Sequence, residues 1–282
     1  MRRPAVSNKR PVLAVSLLVF LVLALWHGPV TRRHVVETDS PHIKSPVRIV
    51  LVTDLHSHIY GTGQGKLLER IAREEPDLLV LAGDIADDVA PDLGTVLFLE
   101  GIKGMAPTFY VTGNHEWWRP DVEAVKDLFA SHGVRVLSQE TATLKVGESL
   151  LGISGIEDLE ILRLGKGTDP DSLQELMAPL AKRPMEGYQI LAAHRPEGIR
   201  TYRGYGFDLV LSGHAHGGQW RIPLLLNGLY APNQGFLPPY AGGIYRHGTT
   251  THVVSRGLAF NPRLPRIFNP AEVVLVELVP VP

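Results

Sequence analysis

Residues 47–58 read Val47-Arg48-Ile49-Val50-Leu51-Val52-Thr53-Asp54-Leu55-His56-Ser57-His58. Apart from Arg48 the run is apolar as far as Val52, has the length of a strand, and then turns abruptly into a carboxylate and two imidazoles. A strand apolar at successive positions, not only at alternate ones, is covered on both faces. In sheets of that kind ligands gather outside the carboxyl ends of the strands. The same form recurs down the chain. Asp77–Ala82 leads into Asp84, Thr108–Thr112 into Asn114 and His115, Tyr188–Ala193 into His194, and Phe207–Ser212 into His214 and His216, with Leu150–Ser154 as a further strand.

Helical spacing fills the intervals. Lys66–Glu75 places Leu67, Leu68, Ile71 and Ala72 on one face, and Asp121–Ser131 does so with Val122, Val125, Leu128 and Phe129, between a Pro120 start and a Gly133 stop. Strands alternating with helices predict an α/β fold. Arg221–Gly248, rich in Pro, Gly, Leu and Tyr, has neither period and reads as a long functional loop. Strands at Thr251–Ser255 and Ala271–Val279 end a single domain over residues 47–282.

The 282 residues carry a formal charge of -1 and no cysteine. A disulfide framework, a cysteine zinc site and a thiol nucleophile are excluded, so any metal is held by His, Asp, Glu or Asn. The balance also argues against a nucleic-acid partner, which calls for a basic face. It conceals an asymmetry: residues 1–45 sum to +5 and the rest to -6. Basic residues Arg2, Arg3, Lys9 and Arg10 precede Val12–Trp26, fifteen residues with Ser16 the only polar one. A helix of that length covers roughly 22 Å, short of the roughly 30 Å hydrocarbon core. No small-x-small cleavage site follows Trp26, so residues 1–30 are expected to form an uncleaved membrane anchor, with 31–46 as a polar linker. The excess of basic residues before the segment places the body outside the plasma or inner membrane.

Five motifs then stand in order at strand ends: Asp54-Leu55-His56, Gly83-Asp84, Gly113-Asn114-His115-Glu116, Ala193-His194 and Gly213-His214-Ala215-His216-Gly217-Gly218-Gln219. The set resembles the calcineurin-like metallophosphoesterase superfamily, and with the apolar segment its membrane-associated YkuE/YaeI-type branch, related to UDP-2,3-diacylglucosamine hydrolases. The resemblance implies a four-layer α/β/β/α sandwich and two metals bridged by Asp84. Asp54, His56 and His216 would complete one site; Asn114, His194 and His214 would complete the other. His115 would stand beside the phosphate as electrostatic partner or general acid, with Glu116 orienting it. The implied reaction is in-line attack on phosphorus by a hydroxide bridging the metals, without a covalent intermediate.

The donor set supports this reading independently. Carboxylate, amide oxygen and imidazole suit two divalent cations, Mn²⁺ first, with Fe or Zn²⁺ also fitting. Two such ions against two carboxylates leave about +2, which attracts a phosphate. A membrane anchor and an apolar loop bearing Trp220, Tyr230, Phe236 and Tyr240 suit a lipid-linked substrate, a glycolipid or a phospholipid. The same domain acting on a soluble nucleotide, and a non-catalytic envelope-binding module with a structural metal, are the competing readings.

Some residues keep two readings. Asp54-Leu55-His56-Ser57-His58 also resembles the first motif of PHP-type phosphoesterases, and His58 either touches substrate or is a bystander. Arg195 either binds a substrate phosphate or pairs with an acid such as Glu197 or Asp158. Gly61-Thr62-Gly63-Gln64-Gly65 either cradles a phosphate or is a turn. His27, His34, His42, His132, His247 and His252 lack ligand spacing and are read as surface or packing residues.

Overall fold

The computed structural model describes residues 9–26, 28–164, 173–260 and 264–281. The first half of the chain forms β1 (Val30–Thr38), β2 (Val47–Val52), β3 (Leu78–Ala82), β4 (Thr108–Val111) and β5 (Arg135–Val136). Before and between them lie α1 (Lys9–Leu25), α2 (Gly65–Ala72), α3 (Leu93–Ile102), α4 (Asn114–Trp118) and α5 (Val122–Ser131). The second half adds β6 (Glu140–Val146), β7 (Ser149–Gly155), β8 (Tyr188–Ala192), β9 (Leu209–Ser212), β10 (Tyr230–Ala231), β11 (Gly235–Phe236), β12 (Gly243–His247), β13 (Thr250–Val254) and β14 (Glu272–Pro280). Three short helices accompany these: α6 (Glu160–Leu164), α7 (Leu173–Met177) and α8 (Ile199–Tyr202).

Two six-stranded sheets result, ordered β1-β14-β2-β3-β4-β5 and β12-β13-β9-β8-β7-β6. β2, β3, β4 and β5 run parallel, as do β7, β8, β9 and β13. Alternation within β2 shows why its residues are apolar at every position from Ile49 to Val52. Ile49 and Leu51 join Leu78, Val80, Ile153, Ile190 and Leu211 in a core between the sheets. Val50 and Val52 point the other way, packing with Leu67 and Ile71 of α2, Phe98 and Leu99 of α3, and Phe129 of α5. On the far side of the second sheet, Leu191 and Val210 meet Met177, Ile199 and Tyr202. The layers are therefore α/β/β/α, as expected. Each fully buried Ile or Leu in them contributes roughly 1.5–3 kcal/mol.

Three expectations need correction. Residues 31–46 are not merely a linker: β1 lies parallel to β14 along its whole length, from Val30 beside Glu272 to Thr38 beside Pro280. Its exposed Arg32, Arg33 and Glu37 suit an edge strand with one face in water, while Val36 is buried. The apolar segment forms the helix α1, but it has 17 residues, and no helix among the described residues is long and apolar enough to cross a membrane. At about 1.5 Å per residue it reaches about 26 Å. Its end is tied to the body: Ala24 is buried, its carbonyl accepts the Phe268 N–H at 2.8 Å, and the rings of Phe20 and Phe268 meet edge-on. The loop Arg221–Gly248 is also less irregular than its composition suggests. It contains the small β10–β11 hairpin and β12, which pairs antiparallel with β13.

His252 is a packing residue, as read, and a fully buried one. Nε2 lies 3.3 Å from Ser212 Oγ and Nδ1 has no hydrogen bond. Burial, then the nearby His247, push its pKa down to about 3. Between that value and the unfolded value of about 6.5 the unfolded chain binds the extra proton, so this residue makes stability rise with pH across the window. H252Q is expected to flatten the pH dependence of the urea midpoint between pH 6.5 and 4; an unchanged slope would contradict the assignment.

Candidate metal centre

Each parallel strand of interest ends at the same edge of the molecule, and the chain leaves it by a tight turn. Asp54, His56, Asp84, His214 and His216 all take positive φ, between 47° and 65°. Left-handed backbone at non-glycine residues costs about 1–3 kcal/mol each and persists where the surroundings over-determine it. Glu75, Gln139 and Leu224 are among the residues elsewhere that share this backbone, but the five at the strand ends are ones the motifs singled out.

Two groups of side chains converge. Asp54, His56 and His216 form one and Asp84, His194 and His214 the other, with potential ligand atoms in each within 4.8 Å of one another. Asp84 Oδ2 lies between them, 3.7 Å from His56 Nε2 and 3.2 Å from His194 Nε2. His216 Nε2 is 3.8 Å from Asp54 Oδ1, and His214 Nδ1 is 3.1 Å from His194 Nε2. Asn114 is buried at the start of α4. Asp84 Oδ2, His56 Nε2 and Asn114 Oδ1 are buried and make no hydrogen bond. Orphaned polar atoms of this kind are costly unless a bound group satisfies them. A divalent cation does so, and the carboxylate, amide and imidazole donors fit one.

The imidazoles are held from behind. His56 Nδ1 donates to Asp87 Oδ2 at 3.0 Å, and His194 Nδ1 donates to the Ala82 carbonyl at 2.8 Å. His214 Nε2 donates to Asn233 Oδ1 at 2.8 Å. Because these partners are acceptors, the opposite ring nitrogen of each histidine keeps its lone pair for the centre, the usual support for a metal-bound imidazole. His115 is held likewise, its Nδ1 2.6 Å from Asp88 Oδ1, with its ring against His56 and Trp118.

Charge is concentrated without metal. Burial alone would raise Asp84, but His194, His56 and His115 hold it well below the usual carboxylate range. Burial likewise opposes the charged form of His194, and Asp84 overcomes it, pushing the pKa up to about 10. Burial, then His194 and Arg195, push His214 down to about 4. Asp54 is raised by burial.

Glu116 has a different task from orienting His115. It is fully buried, and its carboxylate accepts four backbone N–H groups: Asp84 at 2.9 Å, Ile85 at 2.7 Å, Ala86 at 2.9 Å and Gly113 at 2.7 Å. One side chain thereby joins the turn after β3 to the turn after β4. Gly113 permits the approach, since a Cβ there would lie 2.2 Å from Asp84 Oδ1. The His115 N–H completes the clasp, donating to that oxygen at 2.9 Å.

All seven expected ligands and His115 are thus brought together, whereas the two residues read as substrate contacts are placed otherwise. Arg195 is buried, with Nε and Nη2 committed to Asp158 at 2.8 Å and Glu160 at 2.9 Å. It lines a cavity of about 190 Å³ beside Asp84, Asn114 and His115, yet its charge is already met by two acids. R195A takes the cation away from two buried carboxylates and is expected to cost about 3–5 kcal/mol, read as a lowered urea midpoint; a loss under 1 kcal/mol would contradict a structural role. His58 packs its ring on Tyr60 and Phe260, outside the lining of that cavity. Gly61–Gly65 is a turn in which Gln64 bonds the Tyr60 N–H and the His58 and Gly94 carbonyls.

Asp87, Asp88 and Asn233 escaped sequence reasoning. The two acids follow Asp84 closely enough to have been suspected; Asn233 sits in the turn between β10 and β11, where no spacing announces it.

Comparison with known proteins agrees. An uncharacterized metallophosphoesterase of Campylobacter jejuni is 31% identical over 94% of this chain and 68% of its own length. The uncharacterized metallophosphoesterase YkuE of Bacillus subtilis is 29% identical over 83% of this chain and 82% of its own. A transmembrane protein with metallophosphoesterase domain from Bos taurus is 29% identical over 97% of this chain, which spans only 63% of that relative. The profile of the family described as calcineurin-like phosphoesterase matches residues 47–218. That match runs from the first residue of β2 through the turn carrying His214 and His216 and so contains every strand end just described: the chain belongs to the calcineurin-like phosphoesterase family, and is a metal-dependent phosphoester hydrolase.

Proposed function

We propose that the chain hydrolyses a phosphodiester or pyrophosphate carried by an amphiphile at a membrane surface, using two divalent cations, Mn²⁺ first. Asp54, His56 and His216 would hold one, Asn114, His194 and His214 the other, and Asp84 both. The observation that carries the metal reading is the trio of orphaned atoms, Asp84 Oδ2, His56 Nε2 and Asn114 Oδ1, at the meeting of the two groups. When bound, such a pair lowers the pKa of a water and neutralises charge on the transferring phosphoryl group.

The chain's own contribution is positioning. Asp87, the Ala82 carbonyl and Asn233 fix the three imidazoles, and Glu116 fixes the backbone that presents Asp84. His115, held by Asp88, lines both cavities beside the centre and is placed to hydrogen-bond the phosphate or protonate the leaving oxygen. The amphiphile reading draws on a second cavity of about 710 Å³, which begins at His56 and His216 and continues along Tyr230, Phe260 and Leu264. Leu224, Leu225, Phe236 and Leu237 are strongly exposed in the neighbouring loop. α1, exposed from Val12 to Leu23, docks at Phe268, four residues beyond Leu264. The transmembrane name of the bovine relative favours attachment to a membrane, and the excess of basic residues before the apolar segment favours a catalytic body outside it.

With Mn²⁺ the protein is expected to cleave bis-p-nitrophenyl phosphate, to lose activity on chelation, and to lose about 10²–10⁴-fold in kcat in H115A. Detergent-dispersed lipid phosphates should be cleaved better than nucleotide diesters. The opposite preference would transfer the same chemistry to a soluble substrate, and no cleavage of any phosphoester would leave a binding module.

A further inference from the structure

Among the described residues, the 710 Å³ cavity has one guanidinium on its wall, and nothing in the metal centre uses it. Arg266 lines it, is only 6% exposed, and both Nη1 and Nη2 are buried without a hydrogen-bond partner. An unpaired guanidinium out of water is among the most expensive groups a fold can keep, costing several kcal/mol.

The position is built, not incidental. Residues 264–268 are stitched to the segment after the His214–His216 turn: the Trp220 Nε1–H donates to the Pro265 carbonyl at 3.0 Å, the Arg221 N–H to the Ile267 carbonyl at 2.9 Å, and Gln219 bonds the Leu264 carbonyl. On the other side, Phe268 is held by α1. The nearest acids are committed elsewhere. Asp54 accepts the His214 N–H, and Glu272 accepts the Arg256 N–H at 2.9 Å and faces the guanidinium of Arg256. Arg266 lines the same chamber as His56 and His216, so its two orphaned Nη atoms and the imidazoles of the first ligand group share one space. The chamber wall also carries Val89, Ala90, Tyr230 and Phe260, together with Gln219 and Asp87, whose carboxylate is taken by His56 and by the Val89 and Ala90 N–H groups.

We propose that Arg266 is the receptor for a second anionic group of the substrate, a phosphate or a carboxylate set apart from the phosphoryl group held at the metals. This rests on the phosphoesterase reading and narrows it: the preferred substrate carries two anionic groups and an apolar portion that follows Tyr230 and Phe260. A phosphate or carboxylate takes two N–H donors of a guanidinium at once, and charge-assisted bonds of this kind are among the stronger ones. Arg266 is therefore a specificity residue, outside the chemistry at phosphorus.

The test uses the full chain at fixed free Mn²⁺. Calorimetric affinities are measured for methylphosphonate, methylenediphosphonate and phosphonoacetate in the wild type, R266Q and R266M. Both variants should bind methylphosphonate as the wild type does and lose about tenfold to a hundredfold for the two-anion ligands. A loss confined to methylenediphosphonate identifies a phosphate receptor, and one confined to phosphonoacetate a carboxylate receptor. Their kcat/KM on bis-p-nitrophenyl phosphate should stay within about threefold of wild type. R266M removes an uncompensated charge and should melt at or above the wild-type temperature. Equal losses for one- and two-anion ligands, or none, overturn the proposal, as does a melting temperature several degrees lower with unaltered affinities. If the wild type cleaves no phosphoester while the affinities still divide, the hydrolytic reading fails and the anion receptor stands.

Discussion

D84N is expected to lower kcat/KM on bis-p-nitrophenyl phosphate by at least about a thousandfold and to abolish tight binding of the second metal equivalent. The change is nearly isosteric, so shape is preserved and charge is removed. Oδ2 stands 3.7 Å from His56 Nε2 and 3.2 Å from His194 Nε2, so it belongs to both ligand groups at once. With the carboxylate gone, each group loses its only shared anion. Oδ1 also receives the His115 N–H, so the start of α4 loses a charge-assisted bond. Without metal, His194 should titrate below the value of about 10 at which Asp84 holds it, and its imidazole NMR signals report this directly. Retention of both metal equivalents and of activity within tenfold would contradict the bridging assignment.

E116Q should damage both stability and activity, although Glu116 touches neither metal nor substrate. Its two oxygens accept two backbone N–H groups each. A glutamine amide presents –NH₂ to one of those pairs, and donors then face donors in a buried site. Leaving two buried N–H groups unsatisfied costs about 1–3 kcal/mol each, so a loss of about 2–6 kcal/mol is expected in urea unfolding. The displaced turns carry Asp84 and Asn114, and loss of such outer support costs about 10–100-fold in metal affinity or activity. The pH dependence follows the same logic. Burial, then Asp84, push Glu116 up to about 7, above its unfolded value of 4.5. In the metal-free protein this carboxylate therefore becomes less destabilising as pH falls through neutrality, and metal binding should weaken that effect by offsetting the Asp84 charge, leaving the larger contribution of burial. Wild-type stability and Mn²⁺ affinity in E116Q would assign Glu116 no part in the scaffold.

The strand ends were legible because two constraints coincide there. A run such as Ile49–Val52 must be apolar at every position to be buried on both faces, and the next residues must be polar because they line a site. Local order along the chain then places Asp54, Asp84, Asn114, His194 and His214 at one edge of the sheets without knowledge of the loops. What failed to show lacks such a constraint. β1 alternates too imperfectly to announce itself, since the neighbours Arg32 and Arg33 point to opposite faces and are both exposed, at an edge whose pairing is decided by β14, some 240 residues away. α3 reads Leu-Gly-Thr-Val-Leu-Phe-Leu-Glu-Gly-Ile, where two glycines and an apolar majority erase the helical period. Asn233 and Arg266 come from loops, and their roles depend on where those loops return. Arg195 kept two readings because sequence places it beside His194 without showing Asp158 and Glu160 across from it.

The central claim is that seven side chains at these strand ends hold two cations bridged by one carboxylate. Anomalous diffraction at the manganese edge from Mn²⁺-loaded crystals tests it most directly. The expected map has two peaks about 3.5–4 Å apart, one within ligand distance of Asp54, His56 and His216, the other of Asn114, His194 and His214, with Asp84 touching both. A single peak, or peaks away from Asp84, would contradict the account.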